Sequence, residues 1–376
     1  MKLKILIITT AHPPFDVRIF HLQAISLAAA GHRVMLLAHA DFDQLEREGV
    51  HLVGVKRAKS RLLRFFNVMR FFRMARRIRA DVYHFHDLEF LPAGLLLRWL
   101  TRKKVIYDCH ENYPETAYER AWYPDLLKPL LAGLIAGFEP ALARRLDAVV
   151  CVVKDQESRF KQRGCRTALV RNYPRLEPFE KALEYKSRRD QTVLYLGGLT
   201  QVRGAALLVD MMAELRKSHP NVKLICIGRF NEPHVQNEVL KRVRKLGLGD
   251  RIRYLGYIPY EQVPDHLVRA KIGLIPFQPN KKMLRMFLAI KAIEYMASGL
   301  PIVASDLPSL RHLISEAENG ILVAPSDAAA HAAAIAELLE NEDRRRRLAE
   351  NGLRHVRRRY NWKLENPSLH QLYRTI

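Results

Sequence analysis

Short apolar runs alternate with amphipathic stretches along almost the whole chain. Ile5 to Thr9 reads as a buried strand, and Ile19, Leu22, Ile25 and Ala29 then recur at helical spacing from about Phe15 until Gly31 stops them. Val34 to Ala38, Val82 to Phe85, Val105 to Tyr107 and Ala148 to Val153 continue the strand series, with helical stretches between them. A parallel strand needs a crossover helix to return to the same edge, so the alternation predicts a parallel sheet. After Asn172, Pro174 and Pro178 the sequence turns charged and loop-like as far as Asp190. A second series then runs through Val193 to Leu196, Lys223 to Ile227, Ile252 to Leu255, Ile272 to Ile275, Ile302 to Ala304 and Ile321 to Val323. The expected architecture is α/β: two Rossmann-like, doubly wound parallel-sheet domains facing a cleft, over 1–178 and 179–361, with a helical segment over 362–376.

Bulk properties narrow the class. A chain of 376 residues, 48% hydrophobic and 27% charged, suits two folded domains, and no stretch reads as an uncharged membrane span. Met1 to Thr10 already reads as a strand and not a leader, which places the expectation in the cytoplasm. Cys109, Cys151, Cys165 and Cys226 are scattered without metal-ligand spacing, so reduced thiols and no metal centre are expected. The net charge of +23 calls for an anionic partner: nucleotide phosphates, acidic lipid or nucleic acid. The basic residues are spread over both halves and form no nucleic-acid-binding module, so nucleic acid is not expected.

Three groups of residues carry candidate chemistry. Gly197 and Gly198, with Arg203 and Gly204 after them, join a strand to a helix, where backbone N–H groups and a guanidinium can meet a diphosphate. The same glycines also suit a plain tight turn. Lys291 and Glu294 lie on the helix before Gly299 and Pro301, spaced either for an i,i+3 ion pair or for a carboxylate that holds a ribose diol. His86 and Asp87 follow one strand, His110 and Glu111 the next, and the opening turn adds His12, Asp16 and Arg18; imidazoles and carboxylates at neighbouring strand ends can orient hydroxyls and move protons.

Taken together, the HPPFDVRIF opening, HFHDLEF, YDCHE, Val170 to Pro174, GGLTQVRG, KAIEYMASGLPIVASD and Asn319 to Val323 resemble the retaining glycosyltransferases of GT-B fold, family 4, also called glycosyl transferases group 1. The resemblance covers nearly the whole chain. It implies a nucleotide-sugar donor, with UDP placed ahead of GDP, and a lipid-linked or saccharide acceptor of cell-surface polysaccharide or lipopolysaccharide synthesis. It assigns Arg203 to the donor diphosphate, Glu294 to the ribose and His110 to the place beside the transferred sugar, with the base near Gly228, Arg229, Tyr257 and Ile258. It also implies that the last helix crosses back onto the first domain, that no metal is needed, and that transfer is driven by electrostatic stabilisation of the leaving diphosphate. Three positions depart from the family pattern: Met286 stands where a glutamate is frequent, Gly198 where an arginine is frequent, and His12-Pro13-Pro14 replaces a Gly-Gly loop. A nucleotide-sugar epimerase and a non-catalytic nucleotide-binding scaffold are the competing functions.

The stretch Arg61 to Arg79 combines a stripe of Leu62, Phe65, Met69 and Phe72, with Phe66 and Phe71 beside it, and many arginines. This pattern predicts contact with an acidic membrane surface, and hence a peripheral protein on the inner membrane face, although a crossover helix packing on its sheet needs a similar stripe.

Overall fold

The computed structural model describes the chain apart from residues 1, 57–63, 116–123, 185–190, 281–282 and 285–288, and apart from the side chains of 64–66. Met286 and the Leu62, Phe65 and Phe66 positions of the basic stripe therefore lie outside the described residues. The chain forms two compact units, Met1–Asn172 with Lys363–Ile376, and Tyr173–Trp362.

In the first unit the strands are β1 (Lys4–Ile8), β2 (Arg33–His39), β3 (Gln44–Arg47), β4 (Val50–Val55), β5 (Val82–Phe85), β6 (Lys104–Cys109), β7 (Ala148–Cys151) and β8 (Thr167–Leu169). They form one sheet in the order β3-β4-β2-β1-β5-β6-β7-β8. Every neighbouring pair is parallel except β3 with β4, a hairpin added at one edge. The winding reverses between β1 and β5, so the loops after these two strands border the crevice where doubly wound sheets bind ligands.

In the second unit β9 (Thr192–Leu196), β10 (Lys223–Ile227), β11 (Ile252–Gly256), β12 (Ile272–Ile275), β13 (Ile302–Ser305) and β14 (Gly320–Val323) form an all-parallel sheet in the order β11-β10-β9-β12-β13-β14. Its reversal lies between β9 and β12.

The units divide at Asn172 and not after Pro178. The cause is local packing: Tyr173 is buried edge-on to Tyr360, with ring centroids 5.2 Å apart, and the Trp362 N–H donates to the Pro174 carbonyl at 2.9 Å. The final helix, Trp362–Thr375, belongs to the first unit from Lys363 onward. There Arg171 donates to Glu365 from its guanidinium at 2.8 Å and from its backbone N–H at 3.0 Å, and the Tyr373 hydroxyl meets His84 Nδ1 at 2.8 Å.

Two sequence expectations change. On the helix Arg64–Ile78 the phenylalanines Phe71 and Phe72 are core residues, 0% and 6% exposed, because the sheet takes the apolar face of its crossover helix. What that helix exposes among its described side chains is arginine: Arg70, Arg73, Arg76 and Arg77. Conversely, Asp125–Ala143 is long and apolar enough to cross a membrane by length and composition, which the sequence reading had not singled out. Its buried face, with Ala132, Glu139, Pro140 and Ala143, packs into the first unit.

Candidate functional site

In the first unit the centre is a carboxylate from the end of β6. Asp108 is fully buried and receives the Arg18 guanidinium through Nε at 3.0 Å and Nη2 at 2.9 Å, and Gln23 Nε2 at 2.6 Å. His84 Nε2 and His86 Nδ1 approach it at 3.6 and 3.8 Å, and His110 Nδ1 at 3.6 Å. Burial opposes its ionisation, yet the adjoining Arg18 and histidines hold the Asp108 carboxyl well below the usual carboxylate range. Burial pushes the His86 imidazole well below the usual histidine range, so it stands neutral beside the ion pair.

Asp87 is equally enclosed, at 3% exposure. Its carboxylate accepts from the Thr10 N–H at 2.6 Å, the Ala11 N–H at 3.3 Å and the Thr9 hydroxyl at 2.9 Å, and His12 Nδ1 lies 3.2 Å away. Against the cost of burial, His12 and these donors bring its pKa down to about 2. In turn, although burial pulls the other way, the hydrogen bond and charge of Asp87 raise the His12 imidazole above its ordinary value. Across the turn His12 Nε2 meets His110 Nε2 at 3.2 Å, a contact that requires one proton between the two rings.

Several candidates therefore take different roles from those read in the sequence. Asp87 is an organiser of the Thr9 to His12 turn and offers no free oxygen as a base. Asp16 caps the π-type helical segment Val17–Ala24, accepting from the Arg18 and Ile19 N–H groups at 2.9 and 3.0 Å. Arg18 spends its donors on Asp108, the Val170 carbonyl and Asn172. His12, His110 and Glu111 remain partly exposed and are the groups placed to meet a substrate. Among the described residues, His12-His110-Glu111 and His84-His86-Asp108 have the spacing to hold a metal ion. In the second, the Arg18 guanidinium already occupies the carboxylate and repels a further cation.

In the second unit the site starts at the end of β9. Gly197 has φ +126°, and a Cβ there would stand 2.9 Å from Lys291 Nζ. At Gly228, φ +137°, a Cβ would stand 2.0 Å from the Gly197 carbonyl oxygen, so the two glycines let the ends of β9 and β10 touch backbone to backbone. A Cβ at Gly198 would lie 3.1 Å from Arg203 Nη1 and 3.2 Å from Asn231 Oδ1. No described side chain caps the helix Ala205–Leu215 that follows. Turn, helix start, Arg203 and Lys291 thus converge on one point.

Lys291 Nζ is buried and makes no hydrogen bond among the described residues. It lies over the rings of Tyr195 and Phe277, 4.2 and 4.7 Å from their centroids. Burial, and then the charge of Arg203, push its ammonium well below the usual lysine range, with Glu294 pulling the other way. Burial raises Glu294 to about 7 against the pull of Lys291. The i,i+3 ion pair that the sequence allowed is not formed among the described residues. Arg229 stacks on the exposed Tyr257 ring at 5.0 Å, and Ile258 packs partly buried beside it in the core.

The sequence reading missed Asp108 as the hub and Asn231 as a neighbour of Gly198. YDCHE contained Asp108, but its main partners, Arg18 and Gln23, lie 90 and 85 residues away. Asn231, close behind the end of β10, was within reach of a strand-end argument.

Comparison with known proteins places both sites in a family context. Residues 179–355 match the model described as glycosyl transferases group 1, and residues 17–172 match Glycosyltransferase Family 4. A phosphatidyl-myo-inositol mannosyltransferase of Mycobacterium leprae is 30% identical over 190 residues, 50% of this chain and 48% of that protein. The chain thus spans about half the length of the first curated relatives it matches. The lipopolysaccharide core biosynthesis mannosyltransferase LpcC of Rhizobium leguminosarum is 27% identical over 325 residues, 84% of each chain. Anabaena Alr3699/HepE, solved in complex with UDP-glucose, superposes with a TM-score of 0.72 over 100% of both chains at 17% identity, a likeness of fold.

Proposed function

Because the chain belongs to the group 1 glycosyltransferases, with a family 4 match over its first half, we propose that it transfers a hexose from a nucleoside-diphosphate sugar, the second unit holding the donor and the first the acceptor. The observation that carries this reading is Lys291, whose buried Nζ has no hydrogen-bond partner among the described residues and is aimed with Arg203 at a glycine turn. An isolated buried cation is costly, and an anion of the right shape removes the cost. The diphosphate of a donor supplies that anion, the uncapped start of Ala205–Leu215 adds N–H donors, and Glu294 accepts from the ribose hydroxyls.

Gly198, where the family often has arginine, leaves the space beside Lys291 and Arg203 open, and Lys291 supplies the charge from a different part of the chain. In transfer, these cations stabilise the departing diphosphate, and the His12–His110 pair beside the turn handles the proton of the attacking hydroxyl. The reading includes retention of anomeric configuration and no need for a metal ion, since Lys291 and Arg203 provide positive charge at the leaving group. UDP stands ahead of GDP from the family resemblance, the name of LpcC, a lipopolysaccharide core biosynthesis enzyme, favours a saccharide of the cell surface as acceptor, and the reading takes that acceptor as lipid-linked and met at the inner membrane face.

The test is a thermal-shift screen of UDP, GDP, ADP and their sugars, followed by product analysis with chelator present. The proposal expects one nucleotide to raise the melting temperature, the shift to vanish in Arg203→Ala and Glu294→Ala, and slow release of free nucleoside diphosphate from the matching sugar. An isomerised nucleotide-sugar with no release would point to an epimerase, and no binding at all would leave a scaffold.

A further inference from the structure

Three helices lie side by side on one face of the first sheet, sharing one buried cluster: Arg64–Ile78, Leu91–Thr101 and Lys128–Ala143. The middle one touches both others. Their outward sides differ sharply. Arg64–Ile78 exposes arginines, whereas Lys128–Ala143 and the turn before it expose Leu126 (90%), Leu130 (60%), Leu134 (43%) and Phe138 (63%), spaced one helical turn apart. The middle helix adds Trp99, 75% exposed, and Leu100.

Between Lys128 and Arg144 the sequence holds a single charged residue, Glu139, and that one is buried, bonded to Tyr107 and paired with Arg159. A solvated helix carries its charges outward; this one carries its charge inward and leucine outward. The arginine strip runs on the other side of the middle helix, and Arg144 and Arg145, both exposed, follow the apolar strip at its end.

We infer that this three-helix face rests in the interface of an acidic lipid bilayer, with Leu130, Leu134, Phe138 and Trp99 inserted below the headgroups and the arginines of Arg64–Ile78 paired with anionic headgroups. Apolar insertion and an adjoining cationic strip are the two contributions that hold a monotopic protein on such a surface. A second copy of the chain is a poorer occupant, because self-pairing brings together surfaces of one sign on a protein of net charge +23. The assignment deepens the proposed use of a lipid-linked acceptor but does not depend on donor or acceptor.

Flotation of the full chain with phosphatidylcholine vesicles, with and without phosphatidylglycerol, tests it in the absence of any nucleotide. Wild type is expected to float with the acidic vesicles; Leu134→Asp/Phe138→Asp lowers the bound fraction at least about tenfold, and Arg73→Glu/Arg77→Glu removes the preference for acidic lipid. Trp99→Ala, on a different helix, is expected to weaken binding in the same direction, and all of these side chains are exposed, so melting temperatures stay unchanged. Wild type left in the soluble fraction would overturn the inference, as would an Asp variant that floats as well as wild type. So would a sedimentation experiment in which the same variant dissolves a dimer while vesicle binding persists. Vesicle binding with no transferase activity would leave this face assigned and count only against the donor reading.

Discussion

Each unit buries charge near the strand ends that flank the reversal of its sheet, and the two do so in opposite ways. In the first, Asp108 meets Arg18 at 2.9 Å, Gln23 at 2.6 Å and a ring of histidines; the negative charge is answered inside the fold. In the second, Lys291 lies over two aromatic rings with no hydrogen-bond partner among the described residues, and Glu294 nearby is raised to about 7. A buried charge that is answered internally serves to position its neighbours, here His110 and the loops around it. One that is not answered stores a cost that a ligand relieves.

The contrast fixes opposite outcomes for similar substitutions. The largest effect is expected at Arg18: Arg18→Met leaves Asp108 buried without its main partner and costs about 3–5 kcal/mol, read from urea unfolding. A loss below about 1 kcal/mol would mean that Asp108 is neutral in the fold and that the hub is misread.

Next comes a pH dependence. Glu294 holds its proton up to about 7 when folded, against a reference of 4.5, so the unfolded chain ionises first as pH rises. Its contribution is fully present below the unfolded value, falls across the window from 4.5 to about 7, and is flat above it, a decline on the order of 3 kcal/mol. Glu294→Gln is expected to remove that part of the slope in unfolding measured from pH 4 to 8; an unchanged slope would assign it elsewhere.

At Lys291 the sign reverses relative to Arg18. Lys291→Met is expected to leave the free protein at least as stable as wild type while weakening binding of the nucleoside diphosphate by about 1.5–3 kcal/mol, the range for a hydrogen bond to a charged group. Destabilisation of the free protein would show that Lys291 is answered internally after all. The smallest effect belongs to Tyr373→Phe, which removes the 2.8 Å contact to His84 and should cost about 1 kcal/mol in thermal unfolding.

Strands such as Ile272–Ile275 and Lys223–Ile227 were legible because apolar runs buried on both faces leave little room for another reading. The hairpin strand Gln44–Arg47 is exposed along its whole length, and Thr167–Leu169 is short and half-buried; neither carries a pattern that marks a strand. The second site was legible for a related reason, since Gly197, Gly198 and Arg203 form one local motif and Lys291 and Glu294 another. The first site was only half legible: the strand ends located His86, Asp87 and His110, but which carboxylate faces outward depends on partners distant in sequence. Composition likewise marked Arg61 to Arg79 as membrane-like, yet only packing reveals that Phe71 and Phe72 turn inward and that the exposed apolar strip belongs to Lys128–Ala143.

The central claim is that Lys291 and Arg203 form a cradle completed by a diphosphate. Calorimetric titration of wild type and Lys291→Met with UDP, GDP and ADP tests it most directly. The account predicts that one of these nucleotides binds wild type and binds Lys291→Met roughly tenfold to a hundredfold more weakly, with the unliganded variant as stable as wild type. Equal affinity for both proteins, or binding unaffected by loss of the β-phosphate when the corresponding monophosphate is titrated, would contradict it.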